Sequence, residues 1–270
     1  MPERRPRAHR QRLTRDGARL GGYSRPTIDR AGRRIAFKLG DPGRVFSADA
    51  RARKRVRIGP DPGSPRDATQ FDAAISPDGR RVAWVETHVN VVFGGFDYRR
   101  YVATVRGEDP HQVASNGGRP FVAWFDAAQI IREGPPSDDP PLSPDHSLCL
   151  PDPETETNGV CGRLIARDPA HDLRHPSASP DGRFVVATAY DPPADDDLAI
   201  DHPGAIVLFD TATGEPLRCL TPGPNDGGPT VSPDGRSVAF ERRGGIWRVP
   251  VRGGRAVRVV RTGRQPAWGR

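Results

Sequence analysis

Three short stretches of this chain are nearly the same: Ser76-Pro77-Asp78-Gly79-Arg80-Arg81-Val82-Ala83-Trp84, then SPDGRFVVA at 179–187 and SPDGRSVAF at 232–240. A phrase that recurs at such distances marks a structural unit used several times, so any fold open to this chain is built from copies. The chemistry of the phrase is specific. Serine at the first position, proline with its preset φ at the second and glycine at the fourth are the preferences of a type I β-turn. Pro77, Asp78 and Gly79, Pro180, Asp181 and Gly182, and Pro233, Asp234 and Gly235 are therefore read as turn residues. The run after each turn is β-branched or aromatic with a small residue between larger ones, as a strand packed on both faces needs. Ala73-Ala74-Ile75 supplies the other arm of a hairpin.

Alignment on the turn glycine adds a copy that has lost its Ser-Pro-Asp, Pro26 to Phe37 around Gly32. The glycines at 32, 79, 182 and 235 are then separated by 47, 103 and 53 residues, and the middle gap is two periods wide. It should hide a degenerate copy near residue 120. Arg119-Pro120-Phe121-Val122-Ala123-Trp124 followed by Gln129-Ile130-Ile131 sits there, and Gln265-Pro266-Ala267-Trp268-Gly269 repeats only an opening arm. Further strand-like runs follow each hairpin, such as Ala205 to Asp210 and Leu217 to Thr221, or Gly245 to Val249 and Val257 to Val260. Four short strands in a period of about 40 to 50 residues is the pattern of propeller blades.

The phrase Pro-x-hydrophobic-SPDG-Arg-x-[Val/Ile]-Ala-[Phe/Trp], a strand ending in Asp, and a Leu-Thr ending together resemble the WD40-like repeats of TolB-type β-propellers. The resemblance runs from about residue 11 to residue 270. It implies an all-β toroid of four-stranded antiparallel blades, in bacteria commonly exported and used as a protein-interaction scaffold. Similar repeats form the propeller of prolyl-oligopeptidase-type enzymes, whose catalysis lies in a separate hydrolase domain not found in this sequence. Repeats start near 26, 73, 120, 176, 229 and 266 within one expected domain, 11–270, preceded by a basic tail at 1–10. Gln11-Arg12-Leu13-Thr14 reads like a closing strand, which suggests a ring closed by both termini. Closure of that kind removes an exposed sheet edge. Six blades with one incomplete is the expected count, with five blades plus extra strands as the alternative. A start upstream of Met1, with a signal peptide before it, is a third reading.

Glycine and proline together supply 60 of 270 residues, about 22%, near the range of aperiodic disordered chains, but the period argues for order. The formal charge is +7, and Lys38 and Lys54 are the only lysines. The arginines at 4, 5, 7, 10, 12, 15 and 19 invite a nucleic-acid reading. Elsewhere the arginines alternate with acids and no aromatic stacking platform accompanies the tail, so a solvated terminus is the expectation. No run of 18 apolar residues exists, and no apolar stretch follows the basic start as a signal peptide requires.

The departures from the repeat are candidate binding loops. They carry Asp138 and Asp139, Glu154 and Glu156, and Asp195, Asp196 and Asp197. Long loops on a rigid scaffold are where specificity is usually placed, although tolerated surface insertion is the plainer reading. Calcium at the 191–201 acids lacks the spacing of a Ca²⁺ loop, and His171 and His175 sit beside prolines rather than on a helix, so neither is expected to hold a metal. Cys149 and Cys161 flank one insertion. A disulfide between them would staple it by about 3 kcal/mol and imply an oxidising compartment, the alternative being two reduced thiols in the cytoplasm. Cys219, in a strand-like run, is expected to be a small buried hydrophobe. No nucleophile elbow, zincin, phosphate-loop or dinucleotide motif is present. The expected function is therefore a non-enzymatic, cofactor-free, monomeric scaffold for a protein or cell-envelope component, outside the cytoplasm. An axial-channel hydrolase or lyase is the alternative, and a cytosolic nucleic-acid-associated scaffold the second.

Overall fold

The computed structural model describes residues 13–14, 16, 19–40, 43–59, 68–89, 96–114, 121–133, 147–151, 161–191 and 204–269. Among them the chain forms strands and no helix, in successive antiparallel four-stranded units. The first unit is β1 (Tyr23–Ile28), β2 (Arg34–Leu39), β3 (Arg44–Asp49) and β4 (Val56–Ile58). The second is β5 (Ala68–Ile75), β6 (Arg81–Val89), β7 (Phe96–Thr104) and β8 (His111–Ala114). The third is β9 (Ala123–Trp124), β10 (Ile130–Glu133), β11 (Ser147–Pro151) and β12 (Cys161–Arg167). The last seven strands are one sheet, β13 (Asp172–Ala178), β14 (Phe184–Tyr190), β15 (Gly204–Asp210), β16 (Pro216–Val231), β17 (Ser237–Arg242), β18 (Gly245–Pro250) and β19 (Val257–Val260). That sheet is two units sharing a strand, because Pro216 to Thr221 pairs with β15 while Asp226 to Val231 pairs with β17.

The repeated phrase makes the turn between the first two strands of a unit. The N–H of Gly79, Gly182 and Gly235 donates to the carbonyl of Ser76, Ser179 and Ser232 at 2.9, 3.0 and 2.8 Å. Those glycines have φ of 72°, 69° and 70°, a region that favours residues without Cβ. Each serine hydroxyl donates to the aspartate two residues on, at 2.6 to 2.7 Å, and accepts the amide of the residue opening the second strand, Arg81, Phe184 or Ser237. In the first unit Asp29 stands in the serine's place and its carboxylate accepts the Arg33 and Arg34 amides at 2.6 and 3.1 Å. The degenerate third turn has no glycine and closes one residue sooner, with Asp126 accepting the amides of Ala128 and Gln129. The Ser179 and Ser232 hydroxyls hold the Asp181 and Asp234 carboxyls below their ordinary range. Burial works against the same shift at Asp78, but the Ser76 hydroxyl and the Arg80 amide outweigh it.

Alternate residues of each second strand face opposite neighbours, so the core is a series of layers between units. Val82 and Trp84 pack with Ala36, Val45 and Ile58 of the first unit, while Ala83 and Val85 pack with Val122, Trp124 and Ile130 of the third. Val185 and Ala187 face the third unit's Ile131, Leu148 and Ile165, and Val186 faces the fifth unit's Val238, Phe240 and Val249. Burying each such side chain contributes about 1.5 to 3 kcal/mol, so neighbouring units stabilise one another.

Two expectations are corrected. Leu13 and Thr14, the described half of the expected closing strand, form no strand, and Leu13 is 45% exposed. Cys219 is exposed, because β16 is the outer strand of its unit over that stretch and its thiol turns to the Thr221 carbonyl at 3.0 Å. Cys149 is buried on β11, and Cys161 begins β12 opposite Pro151. The Cys161 side chain lies outside the described residues, as do the tail at 1–10 and every acid of the expected binding loops, Asp138, Asp139, Glu154, Glu156, Asp195, Asp196 and Asp197. Among the described residues no helix is long and apolar enough to cross a membrane.

Candidate functional site

The first strands of all five units, together with residues 264–268, line one cavity of about 540 Å³. Its lining includes the small or apolar Ile28, Ala74, Ile75, Val122, Ala178 and Val231 beside charged side chains. Residues 265–269 have no ladder partner, but their hydrogen bonding to the fifth unit parallels that of the third unit's first strand to the second. The Trp268 indole N–H donates to the Thr230 carbonyl at 3.0 Å, as the Trp124 indole N–H donates to the Ala74 carbonyl at 2.9 Å. Ala74 and Thr230 each lie two residues before a turn serine, so the two tryptophans dock on equivalent points of the second and fifth units. On its other side the segment meets the first unit. The Arg25 amide donates to the Gln265 side-chain oxygen at 2.7 Å, and a Cβ built on Gly269 would lie 2.8 Å from Ile28.

The mouth of the cavity is set by a bulge that recurs in the first strands. Pairing shifts between Ser24 and Thr27, Gln70 and Ala73, Arg174 and Ser177, and Gly227 and Thr230. Counting back seven residues from the turn glycine gives Arg25, Asp72, His175 and Gly228 at the bulge. Arg25, His175, Gly228 and Gln265 all precede a proline and all have positive φ, 53°, 50°, 54° and 53°. A residue before proline prefers extended backbone, and a left-handed non-glycine residue costs about 1 to 3 kcal/mol. The neighbouring unit supports the geometry. The hydroxyls of Thr27 and Ser177, just past the prolines, accept the amides of Ile75 and Val231 at 2.9 and 3.1 Å.

The bulge brings charged groups from different units together. Arg25 Nε lies 4.0 Å from Asp72 Oδ1, both side chains being less than a fifth exposed. The other Asp72 oxygen accepts the Val122 amide at 3.1 Å, and Glu241 accepts the Gln265 amide. Asp72 thus clasps the second unit to the third, and Glu241, on β17, clasps the fifth unit to the C-terminal segment. Just behind them Arg242 donates two hydrogen bonds, 2.5 and 2.7 Å, to the fully buried Asp226, which raises the affinity of the guanidinium for its proton. Arg243, Arg264 and Asn225 complete the rim.

None of these rim residues stood out in the sequence except His175, which was weighed only as a metal ligand beside His171. The structure separates those two: His171 Nδ1 lies 3.0 Å from Asp168, while His175 lines the cavity. The strand order also divides the expected loops. Residues 134–146 and 192–203 join second to third strands, which meet at the end of the units where the first strands begin, beside the charged mouth. Residues 152–160 join β11 to β12 and leave from the opposite end, with the SPDG turns.

No protein-family profile and no curated protein matches the sequence. Solved structures do resemble it. TolB from Acinetobacter baumannii superposes with a TM-score of 0.57 at 16% identity, over 93% of this chain and 58% of that one. Oligogalacturonate lyase from Vibrio parahaemolyticus gives 0.53 at 11%, over 87% and 65%. The β-propeller domain of a Myceliophteria thermophila protein gives 0.52 at 11%, over 87% and 70%. The chain thus spans less than two thirds of the lyase and of TolB. At these identities the likenesses show the fold, a β-propeller, and the neighbours include an enzyme as well as TolB.

Proposed function

We propose that this chain is a binding module of the TolB-like kind, which takes part of a protein or cell-envelope partner at the charged mouth of its axial cavity. The observation that carries the reading is the use of Asp72 and Glu241. Asp72 accepts the Val122 amide just before β9, and Glu241 accepts the Gln265 amide of the C-terminal segment, so the carboxylates build the rim. The repeated bulge supports it, since strained backbone conserved across several units of one chain is expected where a surface must be shaped. On this reading the ring has six positions about its axis, five filled by four-stranded units and the sixth by residues 265–269 between Thr230 and Ile28. We further place the protein outside the cytoplasm, with Cys149 and Cys161, on adjoining strands, bridged. Intact mass before and after reduction tests the bridge, and three free thiols in protein from the native host would sink that placement.

The test of the function uses Gly227. A Cβ built there meets nothing within 4 Å, and Gly227 lines the mouth, so Gly227→Phe adds bulk at the entrance with room for its Cβ. Immobilised chain is exposed to envelope extract of the native host. The expected result is a partner retained by the native chain, lost with Gly227→Phe, and eluted at unchanged mass. A partner eluted cleaved or otherwise converted would overturn the binding reading in favour of an enzyme.

A further inference from the structure

We infer that the mouth holds a single carboxylate carried on an apolar chain, with Arg243 and Arg264 as its ion-pair partners. The inference rests on the binding reading and adds the chemistry of what is bound. The cavity lining carries Arg25, Arg30, Arg243 and Arg264 against Asp72 and Glu241; Arg30 follows β1 at the turn end, where its amide donates to the Pro77 carbonyl, so three guanidiniums and two carboxylates stand at the mouth and one positive charge is in surplus there. One surplus charge suits a monoanion better than a phosphate dianion, because the fixed carboxylates repel the second charge. Arg25 is held by Asp72, whereas Arg243 and Arg264 form no ion pair with any described residue and are exposed at the rim. A guanidinium fork matches a carboxylate with two parallel hydrogen bonds.

The shape beside these arginines agrees. Gly227 and Gly244 both face open space, so the fifth unit presents bare backbone at the entrance. The connection from β17 to β18 is the two-residue turn Arg243-Gly244, with φ of 49° and 69°. Asn-Gly is the usual pair in such a turn. An arginine there accepts backbone strain and gains a position over the cavity. Below the rim the wall includes Ile28, Ala74, Ile75, Val122, Ala178 and Val231, which offers an apolar chain a surface to cover, with Arg30 only at the turn end.

Isothermal titration of the full chain with decanoate, and with an acetylated Leu-Leu-Phe peptide bearing a free carboxylate, separates a free amphiphile from the end of a partner chain. Either probe binding supports the inference when decanol, or the peptide amide, fails to bind. Arg243→Gln and Arg264→Gln are each expected to weaken the bound probe about tenfold. Gly227→Glu, which plants a competing carboxylate in open space, should abolish binding while Gly227→Gln keeps it, with melting temperatures reporting that all variants fold. Binding of neither probe, equal binding by decanol, or binding untouched by Gly227→Glu would overturn the inference. Tighter binding of decyl phosphate than of decanoate at a pH where the phosphate is a dianion would overturn the charge argument. A partner retained from extract while both probes fail would leave the binding reading standing and remove only this one.

Discussion

Trp268 is the place to ask whether the C-terminal segment belongs to the ring. Its indole donates to the Thr230 carbonyl and lies half-buried against the fifth unit, as Trp124, only 7% exposed, lies against the second. Truncating a buried tryptophan costs about 3 to 5 kcal/mol, which is the expectation for Trp124→Ala. Trp268 buries less, so Trp268→Ala should cost about 2 kcal/mol, and Trp268→Phe, which removes the N–H and shrinks the ring system, at least about 1 kcal/mol. For a domain of this size 1 kcal/mol shifts the melting temperature by roughly 2 to 4 °C, so Trp268→Ala should melt roughly 4 to 8 °C lower in calorimetry. The loss should appear in a single transition, because the segment touches both the first and the fifth unit. Melting within about 1 °C of the native chain would refute the docking, and with it the sixth position, since even the hydrogen bond alone is worth more.

Asp226→Ala leaves Arg242 without its buried bidentate partner and should destabilise by about 3 kcal/mol, with Asp226→Ala/Arg242→Met recovering part of the loss; urea midpoints decide, and no recovery would show the pair is not coupled. Ser232→Ala removes the acceptor of the Ser237 amide and the donor to Asp234, an expected loss of about 1 to 2 kcal/mol by urea unfolding, whereas a neutral result would show that the turn is held by proline and glycine alone. Acid should destabilise the fold. Asp181 and Asp234 are held low by serine hydroxyls, and Asp16 is held at about 2 by hydrogen bonds from Arg55 and Tyr23. Such depressed carboxylates contribute stability present above their unfolded pKa, about 3.9, and lost as pH falls through the folded values. Urea midpoints should therefore fall below about pH 4, and a flat profile down to about pH 2 would contradict the assignment.

The hairpins were legible because their chemistry is local: serine, proline, aspartate and glycine each answer to one turn atom. The third unit was found by spacing although its glycine is missing, since Asp126 supplies what glycine and serine supply elsewhere. The cavity rim was not legible. Local rules put a residue before proline in extended backbone, and Arg25, His175 and Gln265 depart from them because amides of neighbouring units are satisfied by the bulged strands. The one available signal was the position seven residues before the turn glycine, where chemistry varies within a constant phrase. Cys219 was misread because alternation alone does not tell an outer strand from an inner one.

The most direct test of the account is hydrogen exchange on the chain with and without the partner retained from envelope extract. Binding at the mouth predicts new protection in residues 225–229, 241–244 and 264–268, with the SPDG turns at 77–80, 180–183 and 233–236 unchanged. Protection at those turns with none at the mouth would place the partner on the opposite face and contradict the account.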